Sequence, residues 1–198
     1  MINADTLIWQ SLLKGNEAAF EQLMKLHFKA LFNYGTKYTS DVELVKDCIQ
    51  ELFLGIWNKR NQLNTDVNPR PYLLASLRRA LHRKLQKEGR LLYNNSGDMS
   101  IHFDVEISVE QKIIDSESLL LLKKKMEESL IKLPKRQKEV VYLKYFQNLN
   151  RDEIAEIMDI HPQTVSNILQ LALKRFRADF QLIVSLLMVV GAFLNFIK

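Results

Sequence analysis

Six cations, Arg78, Arg79, Arg83, Lys84, Lys87 and Arg90, fall within 13 consecutive positions. Positive charge at that density suits the phosphates of a nucleic acid; its ordinary alternative is the solvated face of a helix. A second constellation follows Pro162, where Gln163, Thr164, Ser166, Asn167 and Gln170 are amides and hydroxyls able to hydrogen-bond base edges. Lys174, Arg175 and Arg177 come next, suited to phosphate contacts that position a helix without reading sequence. Catalytic chemistry has no comparable support. The 4 histidines are scattered, Cys48 is the single cysteine, and no phosphate loop or metal-ligand spacing occurs. These side chains point to a binding protein and not an enzyme, with neither cofactor nor metal expected.

Helices must position both groups. Hydrophobic residues make up 47% of the 198-residue chain, enough for a real core, and only 6 glycines and 4 prolines interrupt it. The expected fold is all-α. A first helix is predicted over Asp5–Lys14, ended by Gly15, and a second from Glu17 to about Tyr38, capped by Asn16. His27 lies in the apolar stripe of the second and reads as a packed histidine. Asp41 caps a third helix in which Leu44, Val45, Cys48, Ile49, Leu52, Phe53, Ile56 and Trp57 form one continuous apolar stripe. Asn68-Pro69-Arg70-Pro71 breaks the pattern, and a fourth helix, Tyr72 to about Glu88, carries the cations. Cys48 on the apolar stripe is a buried thiol, and with no second cysteine a reducing cytosol is the natural setting. The first residues, Met1 to Asp5, lack the basic-then-apolar pattern of a signal peptide. The net charge of +5 suits a polyanionic partner.

Composition then changes. Tyr93 to Asp98 is polar and turn-forming, and residues 98–117 hold six acids against one base, Lys112. A mobile acidic linker over 91–110 is expected to join a domain of residues 1–90 to one of residues 111–178. Helical pattern resumes near Val109 and runs to Lys132. Pro134 opens a further helix, and Asn150 with Glu153 makes a reciprocal cap for a short one. A three-residue turn, Asp159-Ile160-His161, precedes a longer helix begun by Pro162. Val165, Ile168, Leu169 and Leu171 should pack inward. A short helix, tight turn and longer helix form a helix-turn-helix, which lays the second helix in a DNA major groove.

Two runs carry a resemblance. Asp47-Cys48-Ile49-Gln50-Glu51-Leu52-Phe53-Leu54-Gly55-Ile56-Trp57 is similar to the acid, Gln-Glu, apolar, Phe, Trp pattern of bacterial RNA polymerase sigma factors. Leu133-Pro134, Asp152-Glu153-Ile154-Ala155, Thr164-Val165 and Ala172-Leu173-Lys174-Arg175-Phe176-Arg177 resemble the C-terminal domain of the same family. The likeness covers about residues 5–90 and 110–178, and the absence of long central domains points to the extracytoplasmic-function subgroup. It implies that Asp47, Gln50, Glu51 and Asn58 face core RNA polymerase. It implies too that Arg78, Arg79, Arg83, Lys84 and Lys87 hold the separated strand near a promoter −10 element. The −35 element would be read by Gln163, Thr164, Ser166, Asn167 and Gln170, with Lys174 and Arg175. Core polymerase, promoter DNA and an anti-sigma regulator are the implied partners. One departure stands out: many members carry an Asn and an Asp where this chain has Arg79 and Arg83.

Residues 179–198 fall outside these motifs. Residues 180–197 are almost wholly apolar, and as a helix would reach about 27 Å, just short of a hydrocarbon core. Three uses stay open for this expected helix: intramolecular docking as an inhibitory lid, membrane contact, or binding a regulator or second copy. Two other functions also fit parts of the chain. A conventional helix-turn-helix regulator would use residues 133–178 alone and leave the Gln50-Glu51 helix without a role, and a helical adaptor would need no DNA at all.

Overall fold

The computed structural model describes residues 4–89, 92–93, 99–100, 103–104 and 117–178. Helix α1 spans Ala4–Leu13 and α2 spans Glu17–Gly35. Gly15 turns the chain between them at φ +87°, a conformation strained for other residues, and the Asn16 side chain accepts the Ala19 N–H. Helix α3, Val42–Lys59, is capped by Asp41, which accepts from the Leu44 N–H at 3.1 Å. A single 3-10 turn, Arg60–Gln62, follows.

Helix α4, Pro69–Lys87, begins earlier than the sequence predicts. Pro69 and Pro71 start the helix instead of breaking it, because N–H groups in a first turn have no acceptor within the helix, so a proline there loses no bond. The four helices close around Trp9, Leu23, Leu31, Val45, Ile49, Phe53, Leu73, Leu77 and Leu81, all buried. Trp9 donates its indole N–H to the Asn64 carbonyl at 3.0 Å and sits edge-on to Tyr72, tying α1 to the start of α4. A Cβ added to Gly35 would lie 2.5 Å from Val45 Cγ1, so the α2–α3 contact requires glycine there.

Among the described residues, the second unit comprises α5 (Glu117–Ile131), α6 (Lys135–Tyr145), α7 (Arg151–Met158) and α8, over residues 162–178. The predicted reciprocal cap is present: Asn150 Oδ1 accepts the Asp152 and Glu153 N–H groups, and Glu153 accepts the Asn150 N–H. Asp159 takes the left-handed conformation, φ 54°, and makes the tight turn into α8. Val165 and Ala172 are fully buried, with Ile168 and Leu169 packed beside them. Leu171 corrects the inward assignment. It is 53% exposed, and the smaller Ala172 one position on takes the core.

Between the units, Leu92–Tyr93 pairs antiparallel with Met99–Ser100, a contact too short to alter an all-α fold. Phe103 is buried and Asp104 donates its N–H to the Lys37 carbonyl at 2.9 Å. Arg90, the start of helical pattern at 109–116 and the apolar helix expected over 179–198 lie outside the described residues. No described helix is long and apolar enough to cross a membrane.

Candidate functional site

Asp47, Gln50, Glu51 and Asn58 share the outer side of α3 and are all exposed. Their spacing of three, four and seven residues keeps them in one stripe. Leu54 lies in the same stripe, 49% exposed, and turns it from a purely polar surface into an amphipathic one. Across the helix the apolar stripe, from Leu44 to Ile56, enters the core, as the periodicity predicts.

The cations of α4 separate into two groups. Arg79, Arg83 and Lys87 are exposed, Arg79 reaching back to Ser76 Oγ at 3.2 Å. Lys84 crosses to α3 and pairs with Glu51 at 2.8 Å, joining a candidate strand-binding residue to a candidate polymerase-facing one. Arg78 points elsewhere. Its side chain is 16% exposed and its guanidinium meets Glu139 of α6, with Nε 2.8 Å from Oε1 and Nη2 3.4 Å from Oε2.

On α8, Gln163, Asn167, Gln170 and Lys174 lie exposed along one stripe, and Gln163 Nε2 donates to Asn167 Oδ1 at 3.1 Å. Thr164 and Ser166 are half-buried at its edges, and Ser166 back-bonds to the Pro162 carbonyl. Arg175 reaches inward to Gln137 Oε1 at 3.0 Å. The stripe offers amide donors and acceptors of the kind that can hydrogen-bond base edges, followed by a cation.

What sequence reasoning missed is the junction between the units. Glu139, with a side chain 5% exposed, receives the Tyr34 hydroxyl at 2.7 Å and that of Tyr38 on the same oxygen that faces Arg78. Burial alone would push this carboxyl up, but the Arg78 charge and the three hydrogen bonds outweigh it and hold it below the usual carboxylate range. Burial, reinforced by the Glu139 charge, drives both tyrosine hydroxyls well above their ordinary pKa. His82 stands edge-on to Tyr38, its Nε2 buried without a hydrogen bond; burial first, and Arg78 second, push its pKa down to about 4. Phe103 fills the remaining space, its ring centroid 5.1 Å from Tyr38, 6.1 Å from Tyr34 and 5.8 Å from Tyr142. Nearer the start of α4, Arg70 donates to the Gln147 carbonyl at 2.6 Å and Asn68 to Glu153 at 2.9 Å, as α7 packs along α4. The available signal was slight: Glu139 directly precedes the apolar pair Val140-Val141 of α6 and follows the polar Gln137-Lys138, as a residue of a solvated face would.

Two family models match the chain: Sigma-70 region 2 over residues 23–91 and Sigma-70, region 4 over residues 123–176. Together they cover more than half of it, and the chain belongs to the sigma-70 family, whose members bind core RNA polymerase and promoter DNA to start transcription. Region 2 and region 4 stand here with only residues 92–122 between them, and this is a sigma factor of the extracytoplasmic-function type. Among solved structures, the fold is similar to CnrH in its complex with the cytosolic domain of CnrY, with 19% identity and TM-score 0.59, over 90% of this chain and 98% of that one. It is also similar to the sigma factor RpoE of Bartonella quintana, bound to the anti-sigma factor NepR. There the identity is 19% and the TM-score 0.57, over 82% of this chain and 96% of that one. No curated protein sequence matches the chain.

Proposed function

We propose that this alternative sigma factor works through three surfaces, in the cytoplasm where polymerase and promoter meet. The α3 stripe of Asp47, Gln50, Glu51, Leu54 and Asn58 docks on core polymerase, its exposed leucine supplying apolar contact inside a polar rim. Arg78, Arg79, Arg83, Lys84 and Lys87 of α4 hold the phosphates of the separated strand near the −10 element. The α8 stripe reads the −35 element as duplex, Gln163, Asn167 and Gln170 at base edges and Lys174 at phosphate, with Thr164, Ser166 and Arg175 beside them. Residues 1–90 and 111–178 act as the two domains, joined through 91–110. One named structural relative was captured with an anti-sigma factor and the other with the cytosolic domain of CnrY, and an anti-sigma partner is proposed here as well.

The observation that carries this reading is the exposed amide stripe on α8, on the second helix of a capped helix-turn-helix within the region 4 match. In vitro transcription with purified core enzyme on a genomic DNA library tests it. Specific start sites should appear, and Gln163→Ala with Asn167→Ala should abolish them while leaving competition with another sigma factor for core intact. Absence of any specific start site sinks the reading. Binding to duplex DNA without any competition for core would favour a conventional regulator instead.

A further inference from the structure

We infer that the junction of α2, α4, α6 and residues 103–104 is a releasable lock, closed by Glu139 and Phe103, which withholds Arg78 from DNA until the two units part. The inference rests on α4 being the strand-binding helix.

The first ground is the division among the cations. Arg79, Arg83 and Lys87 face solvent, whereas Arg78 is 16% exposed and turns the Nε–Nη2 edge of its guanidinium onto Glu139. That edge is the one a phosphate would take side-on with two parallel bonds, and while Glu139 fills it and the side chain is buried, a phosphate cannot. Bidentate strand binding through that edge and docking of α6 therefore compete for the same donors.

The second ground is the chemistry of the contact. A buried ion pair gains little net free energy, because leaving water costs nearly what the mutual attraction returns. Its members fix one geometry well and rehydrate readily when parted. Arg78, Glu139 and the two tyrosine hydroxyls form such a set, so the closed form is well specified yet open to competition from a polyanion or from polymerase. Removing one member has the opposite character: the partner left behind is buried and uncompensated, and only in the closed form.

The third ground is Phe103. Its socket is made by both units at once, Tyr34 and Tyr38 from α2 and the turn after it, and Tyr142 from α6. Asp104 adds a backbone bond to Lys37 on one side and a carboxylate 3.3 Å from Lys138 Nζ on the other. The socket exists only while the units are docked. Pulling Phe103 out leaves an aromatic void, and parting the units releases Phe103, so the two events are coupled. The exposed α3 and α8 stripes stand clear of this junction, and core polymerase and duplex DNA can engage before it opens.

Energy transfer between dyes on Gln22→Cys and Glu156→Cys, both exposed positions, reads the separation of the units in the full chain without polymerase or DNA. The buried Cys48 stays unlabelled in the folded protein. Binding of a random single-stranded DNA pool is measured on the same proteins. Glu139→Gln and, separately, Phe103→Ala should each lower the transfer and raise single-strand affinity about tenfold, as a closed population gives way to an open one. Phe103 lies outside every helix, so its variant reports even if Glu139→Gln loses its helical circular dichroism. Unchanged transfer in both folded variants overturns the lock. Reduced transfer with unchanged DNA affinity overturns the withholding of Arg78. In that case Arg83→Ala in the otherwise native chain locates the fault: if it too leaves single-strand binding unchanged, α4 is not the strand-binding helix.

Discussion

Helix α4 takes part in two buried contacts of opposite chemistry. Toward the four-helix core it contributes Leu73, Leu74, Leu77, Leu81 and Leu85, with no charge among them. Toward α6 and α7 it contributes Arg70 and Arg78, with Asn68 at its N-cap, each meeting a polar group, while His82 stands against Tyr38 at the edge of the same junction. The first contact is non-directional and forms whenever water is excluded. The second demands one geometry and tolerates separation in water. A protein that must keep one assembly permanently and open another on demand divides its chemistry in this way.

The largest effect expected from breaking the apolar side comes from Leu77→Ala. The cavity should cost about 2–5 kcal/mol and lower the midpoint of the whole unfolding transition, read by denaturant titration of the helical signal. If Leu77→Ala instead only separated the units, the contrast would fail. Next comes pH. His82 has a folded pKa near 4, below its unfolded value, so between those two values the unfolded chain binds a proton that the folded chain refuses. Stability should therefore fall by about 3 kcal/mol as pH drops through that window, and His82→Phe should flatten the slope in denaturation curves taken at several pH values. A rise in stability on acidification would show that the junction accommodates the imidazolium. Gly35→Ala drives a methyl against Val45 and should cost about 1–3 kcal/mol in a thermal melt. Smallest of all, Lys84→Ala removes an exposed pair with Glu51 and should change stability by less than about 1 kcal/mol, with the difference vanishing in high salt.

Periodicity made the core legible. The stripe from Leu44 to Ile56, the caps at Asn16, Asp41 and Asn150, and the turn before Pro162 are all local signals, each complete within one or two helical turns. Pro69 and Pro71 were misread because proline marks the start of a helix as well as its interruption. Leu171 was misread because α8 shows a narrower apolar side than its composition suggests. The junction had no such signal. Glu139 meets Arg78 across 61 positions and Tyr34 across 105, and pairing at that range leaves no period in a single chain. The same holds for the pairing of Lys84 with Glu51, which links two surfaces that sequence reasoning treats as separate.

Anchoring of Phe103 also sets a length. With the ring in its socket, against Tyr38 on one side and Tyr142 on the other, the two units stay docked and none of the chain between them is available as reach. Freed from the socket, residues 90–116 reach about 90 Å. The −10 and −35 elements are about 25 base pairs apart, on the order of 85 Å along straight duplex. On the proposed reading, a chain closed at Phe103 keeps its two DNA-facing units together, and a chain released there has length enough to span both promoter elements.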